Sequence, residues 1–78
     1  MDTSRRAAFA ALYDDTADSV LGYLRRRTDS ATAEDLATET YLALWARWDS
    51  GGSEAGVGWI IGIALRLLAN ARRSDRPA

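Results

Sequence analysis

Gly62, Arg66, Asn70 and Arg73 follow one another at steps of four, four and three residues, a spacing that lines side chains up along one stripe of a helix. All the charge on that stripe is positive, and Arg76 follows it, so a polyanion is the partner chemistry to test. The same residues also fit an ordinary core helix with solvated arginines. A second group of opposite sign lies upstream, where Asp35 and Glu39 are one helical turn apart. Two acids at that spacing repel weakly, and nothing local rewards having both. A solvated face that complements the helix dipole is the structural alternative.

The chain has 78 residues, with no cysteine and no histidine. Zinc sites, thiol nucleophiles and imidazole bases are therefore excluded, and the acids have no acid/base partner in a cleft. No catalytic, metal or cofactor site is expected, and the sequence argues against an enzyme. The formal net charge of −1 argues against a free-standing, tight nucleic-acid binder. That average hides an asymmetry: residues 1–27 sum to +1, residues 28–58 to −5 and residues 59–78 to +3. One end can meet an anion while the middle meets a cationic protein surface. The apolar run from Val57 to Leu65 is too short to span a bilayer, and no signal peptide is visible. The expectation is a soluble cytoplasmic protein.

Three helices must position these residues, at about 4–27, 32–48 and 57–73. In the first, Phe9, Tyr13, Ala17, Val20 and Leu24 step by four, four, three and four, with Leu12 and Leu21 widening the stripe. The poor helix formers of residues 14–19 could mark a kink or a break. Arg25, Arg26 and Arg27 close that helix, where the macrodipole favours cations. The second helix is expected to start with Thr32 as N-cap and Asp35 three residues on, a variant of the capping box. Leu36, Thr40, Ala43 and Leu44 lie along its inner side with Tyr41 and Trp48 beside them, whereas Trp45 falls outside that stripe. Residues 49–58, with four glycines, read as a flexible loop. In the third helix Ile60, Ile63, Ala64, Leu67, Leu68 and Ala71 form the core face. Residues 74–78 read as the start of a linker.

Three segments in this order resemble a known family. AFAALYDDTADSVLGYLRRRT is similar to an opening F-x-x-L-Y-x-x-x-x-x-x-V-x-x-Y-x-x-R-R; AEDLATETYLALWARWD to A-E-D-L-x-Q-E-x-F-x-x-x-W; and GWIIGIALRLLANARR to W-L-x-x-I-A-x-N-x-x-x-D-x-x-R-R. Together, over about residues 8–73, they resemble region 2 of the extracytoplasmic-function (ECF) sigma factors of the sigma-70 family. The resemblance implies an all-α, compact three-helix domain occupying residues 1–78.

By position, it implies that Asp35, Glu39 and Trp45 dock on the clamp helices of the bacterial RNA polymerase β′ subunit, with Thr38 where Gln is common. It also implies that the third helix and the loop before it recognise and melt the −10 promoter element, holding a flipped base of the non-template strand. Arg66 and Asn70 would serve there, with Arg72 and Arg73 at the phosphate-contacting basic end. An anti-sigma factor is a further implied partner, and no membrane is. Departures are visible too: Arg66 stands where Asn is usual, Leu65 where Arg is frequent, and the loop is about two residues short. The helix-turn-helix region 4 has no counterpart here, and a fragment ending where a linker begins is the expectation. A helical module that binds a regulator without DNA is the alternative, suggested by Trp45, Ile61 and Leu65 as outward apolar residues. A helix lying on a membrane surface is a weaker one, because basic and apolar residues do not segregate into halves.

Overall fold

The computed structural model describes residues 3–74. They form α1 (Thr3–Arg25), α2 (Ser30–Ala46) and α3 (Val57–Ser74), with two short 3-10 turns, Trp48–Ser50 and Gly52–Glu54, between α2 and α3. The expected all-α bundle of three helices is what forms. Of the expected linker, Ser74 still belongs to α3 and the remainder lies outside the described residues.

Periodicity selects the core. Val20 and Leu24 from α1, Leu36 and Leu44 from α2, and Ile60, Ala64 and Leu68 from α3 are all buried, each on the stripe that its spacing defines. Phe9 extends this core toward the start of α1, meeting Trp45, Trp48 and Tyr41 edge-on with ring centroids 5.0, 5.3 and 6.4 Å apart. Such edge-to-face aromatic pairs add to the area they bury.

No break interrupts α1 at residues 14–19. Thr16, within that segment, is buried and turns its side chain toward α2. Its hydroxyl donates to the Leu12 carbonyl at 2.8 Å and lies 2.6 Å from the Tyr41 hydroxyl. A hydroxyl has one proton, so the Tyr41 phenol must be the donor in the second bond. Burial pushes the Tyr41 phenol above its ordinary pKa, which keeps it protonated for that bond.

The start of α2 differs from expectation. Asp29, in extended backbone, is the N-cap; its carboxylate accepts from the Thr32 backbone N–H at 3.0 Å and from the Thr32 hydroxyl at 2.7 Å. Thr32 is thus the third residue of the cap and not its first, and Asp35 takes no part. The helix also ends at Ala46, so Trp48 enters the core from a 3-10 turn. Hydrogen bonds from Thr32 hold the Asp29 carboxyl below the usual carboxylate pKa. A depressed folded pKa contributes stability above the unfolded value and loses it as pH falls through the depressed one. Asp29→Ala is therefore expected to lower the melting temperature at neutral pH. The gap from wild type should close in acid, as followed by circular dichroism melts across pH.

Residues 49–58 are not an open loop throughout. Gly51 takes the left-handed conformation, φ 117°, and turns the chain so that Gly52 packs against the end of α2. The Gly52 N–H donates to the Arg47 carbonyl at 2.8 Å. Arg5, from the first turns of α1, ion-pairs with Asp49 at 3.0 Å and so ties this segment back to the bundle.

Candidate functional site

On α3, Gly62, Arg66, Asn70 and Arg73 are all exposed along the predicted stripe. Arg73 donates from Nη2 to the Asn70 Oδ1, so the two side chains form one polar unit at the end of the stripe. Trp59 heads the same stripe, three residues before Gly62, and is 46 % exposed. Sequence reasoning passed over it, although its phase with Gly62 and Arg66 was a usable signal. No atom lies within 4 Å of where a Gly62 side chain would begin, which leaves the helix surface below the indole open.

Arg72 does something else. Two residues from Asn70, it points around the helix toward α1, where its Nη2 donates to the Arg27 carbonyl at 2.7 Å. Arg27 lies in the turn just after α1, so Arg72 ties the end of α3 to the α1–α2 connection. The ends of α1 and α3 therefore meet at one end of the bundle. Two of the arginines at and just after the end of α1 are also engaged locally: Arg25 pairs with Glu34 at 3.3 Å, and Arg27 lies over the Tyr23 ring with its guanidinium carbon 3.6 Å from the centroid.

On α2, Asp35 and Glu39 are exposed, and among the described residues neither has an ion-pair partner. Thr38, between them, is exposed and bonds back to the Glu34 carbonyl at 3.1 Å. Trp45 does not project outward as the sequence suggested. It is half-buried, with Phe9 at its edge, and the Arg5 guanidinium lies over its ring 5.3 Å from the centroid. Tertiary neighbours from α1 cover it. The large apolar residue that α2 does expose is Leu42, at 63 %. Ile61 likewise packs against the core, whereas Leu65 stays 37 % exposed.

Two surfaces result, an acidic one on α2 and a basic stripe headed by an aromatic on α3. The sigma-70 region 2 family model matches residues 12–77, and so takes in both surfaces. The chain belongs to this family. Among curated proteins, this region 2 domain is 38 % identical over 73 residues to the ECF RNA polymerase sigma factor BldN of Streptomyces coelicolor, covering 88 % of this chain and 27 % of that one. It is 34 % identical over 74 residues to the ECF RNA polymerase sigma factor SigK of Mycobacterium sp. (strain KMS), covering 91 % and 38 %. The chain thus spans well under half the length of these relatives. Their names agree with the ECF class to which the three sequence segments point. No solved structure matches.

Within the region 2 domain, the departures from the resembled pattern fall on two helices, with Thr38 on α2 and the rest on or before α3. Arg66 and Leu65 lie side by side on the exposed half of α3, and the shortened loop immediately precedes that helix. Asp35 and Glu39, which follow the pattern, flank Thr38 on α2. Among the described residues no helix is long and apolar enough to cross a membrane.

Proposed function

We propose that this domain acts within a bacterial RNA polymerase holoenzyme, in the cytoplasm. The exposed acids of α2 dock on the β′ clamp helices, and α3 with the loop before it recognises and melts the −10 element on the non-template strand. The observation that carries the reading is the segregation of charge: exposed Asp35 and Glu39 on α2 without ion-pair partners among the described residues, and a basic stripe on α3 that begins with an exposed indole. Docking supplies the affinity that a domain of net charge −1 lacks for DNA on its own.

Each side chain of the stripe has a distinct task. Trp59 offers a face on which an unpaired base stacks, a contact indifferent to base identity. Arg66 and Arg73 neutralise phosphates, and the Asn70 carboxamide presents both a donor and an acceptor to one base edge. Arg72 is occupied with α1 and acts by holding the helix in place. The alternative, a module that binds a regulator without DNA, loses much of its support, since Trp45 and Ile61 pack against the core.

The test is binding of fluorescent −10 oligonucleotides to core polymerase saturated with this domain. Non-template single strands should bind and the complementary strand should not; equal binding of both would defeat the reading. Arg73→Ala is expected to weaken binding across sequences and to reduce its salt slope by about one. Arg72→Ala should instead lower the melting temperature and leave the salt slope as in wild type.

A further inference from the structure

The inward stripe of α1 does not begin with Phe9. One helical turn earlier Arg5 falls in phase with it and is half-buried, whereas the adjacent Arg6 is exposed. Arg5 therefore puts a charge where the stripe calls for an apolar side chain. Its guanidinium lies over the Trp45 ring, 5.3 Å from the centroid, and its Nη2 pairs with the Asp49 carboxylate at 3.0 Å. One side chain thus links three elements: the start of α1, the last turn of α2 and the 3-10 turn Trp48–Ser50.

The ion pair is a weak source of stability, because its side chains are 36 % and 74 % exposed and water screens them. What it fixes is direction. The backbone bonds that Ser50, Gly52, Glu54 and Ala55 donate all go to Arg47, Gly51 or Gly52, so they shape the segment and join it to α2 but not to α1. Against α1 the segment is held by the Trp48 ring, edge-on to Phe9, and by the Arg5–Asp49 pair. Apolar burial is non-directional, whereas a charge-assisted hydrogen bond prescribes a geometry. Beyond Asp49 the chain swivels at Gly51, φ 117°, and then runs through Gly56 and Gly58, which have open space around them, to Trp59.

We propose that Arg5 is a positioning residue for DNA recognition: it holds the turn from which the loop before α3 departs, and so sets where that loop meets a base stacked on Trp59. It acts on base preference without touching DNA. The proposal rests on the DNA reading above and adds to it a residue of α1, far from the stripe in sequence. Phosphate contacts change binding to all sequences alike, so the ratio between preferred and other bases isolates the geometry of the loop.

The experiment presents core polymerase saturated with this chain to single-stranded DNA randomised over a short window, and sequences the strands before and after capture. Circular dichroism melts accompany every variant. Arg5→Ala and Asp49→Asn should each lower the enrichment of the preferred base about threefold, the scale of one surface ion pair, with helicity kept. Asp49→Asn breaks the link from an exposed position, and so serves even where a truncated Arg5 uncovers Trp45. The two changes together should do no more than either alone, since both break the same link. Arg5→Glu with Asp49→Arg should recover enrichment that Arg5→Glu alone loses. A lower melting temperature with unchanged enrichment would make Arg5 structural only and overturn the proposal, leaving the DNA reading in place. If wild type enriches no base, the DNA reading falls and the role of Arg5 falls with it.

Discussion

A domain carrying Asp35→Arg and Glu39→Arg is expected to lose core RNA polymerase while remaining folded. Both acids are exposed on α2 and unpaired among the described residues, so they contribute little to the bundle itself. Reversal replaces two attractions to a cationic partner with two repulsions. Like charges juxtaposed across an interface cost several kcal/mol, which corresponds to a loss of affinity of about a hundredfold or more. Within the domain the change is small, because both positions are exposed, lie beyond the first turn of α2 and are not ion-paired among the described residues. Unchanged helicity with absent binding is the expected pair of results in circular dichroism and pull-down. Full binding by the double variant would remove α2 from the docking surface.

Gly52→Val should be the most damaging single substitution in the segment before α3. A side chain begun at Gly52 would lie 2.8 Å from the Arg47 carbonyl oxygen and 2.9 Å from that of Leu44. Both are backbone atoms at the end of α2, so neither can swing aside. Relief requires the turn to lift away, which breaks the 2.8 Å bond from the Gly52 N–H and exposes Trp48. Overpacking of this kind costs about 1–3 kcal/mol, a large share of the stability of so small a domain. Gly62→Ala is the control, since nothing lies within 4 Å of the new methyl group. It should raise stability by about 0.5–1 kcal/mol through helix propensity. A stability gain joined to weaker DNA binding would mean that the bare surface at Gly62 serves the ligand. Urea denaturation of both variants measures the contrast.

What was legible in the sequence follows from what is periodic. Val20, Leu24, Leu44, Ile60, Ala64 and Leu68 each fall where a 3.6-residue repeat puts a core residue, and all are buried. Capping was ambiguous, because Asp29 and Thr32 are both good cap residues three positions apart, and only the turn after α1 decides between them. Trp45 was misjudged for a different reason. One helix's pattern shows which direction a side chain takes, but not that Phe9 and Arg5 from another helix occupy that space. Arg72 and Arg73 are neighbours in sequence and so face different ways, a fact that a motif ending in two arginines conceals. Leu42 and Trp59, in phase with Asp35 and with Gly62, were visible but unremarked.

The contacts at the two ends of α3 have a consequence for recognition. Before its first turn the chain is clamped to α2 through Gly52, and near its last turn Arg72 grips the turn that follows α1. A rod fastened at both ends can neither slide along its axis nor roll about it without breaking one of these fastenings. The spacing from Trp59 to Arg73 is thus a fixed gauge, set before any ligand arrives. In the proposed role it is the single strand that must change shape to fit, and the ordering cost of binding falls on the DNA.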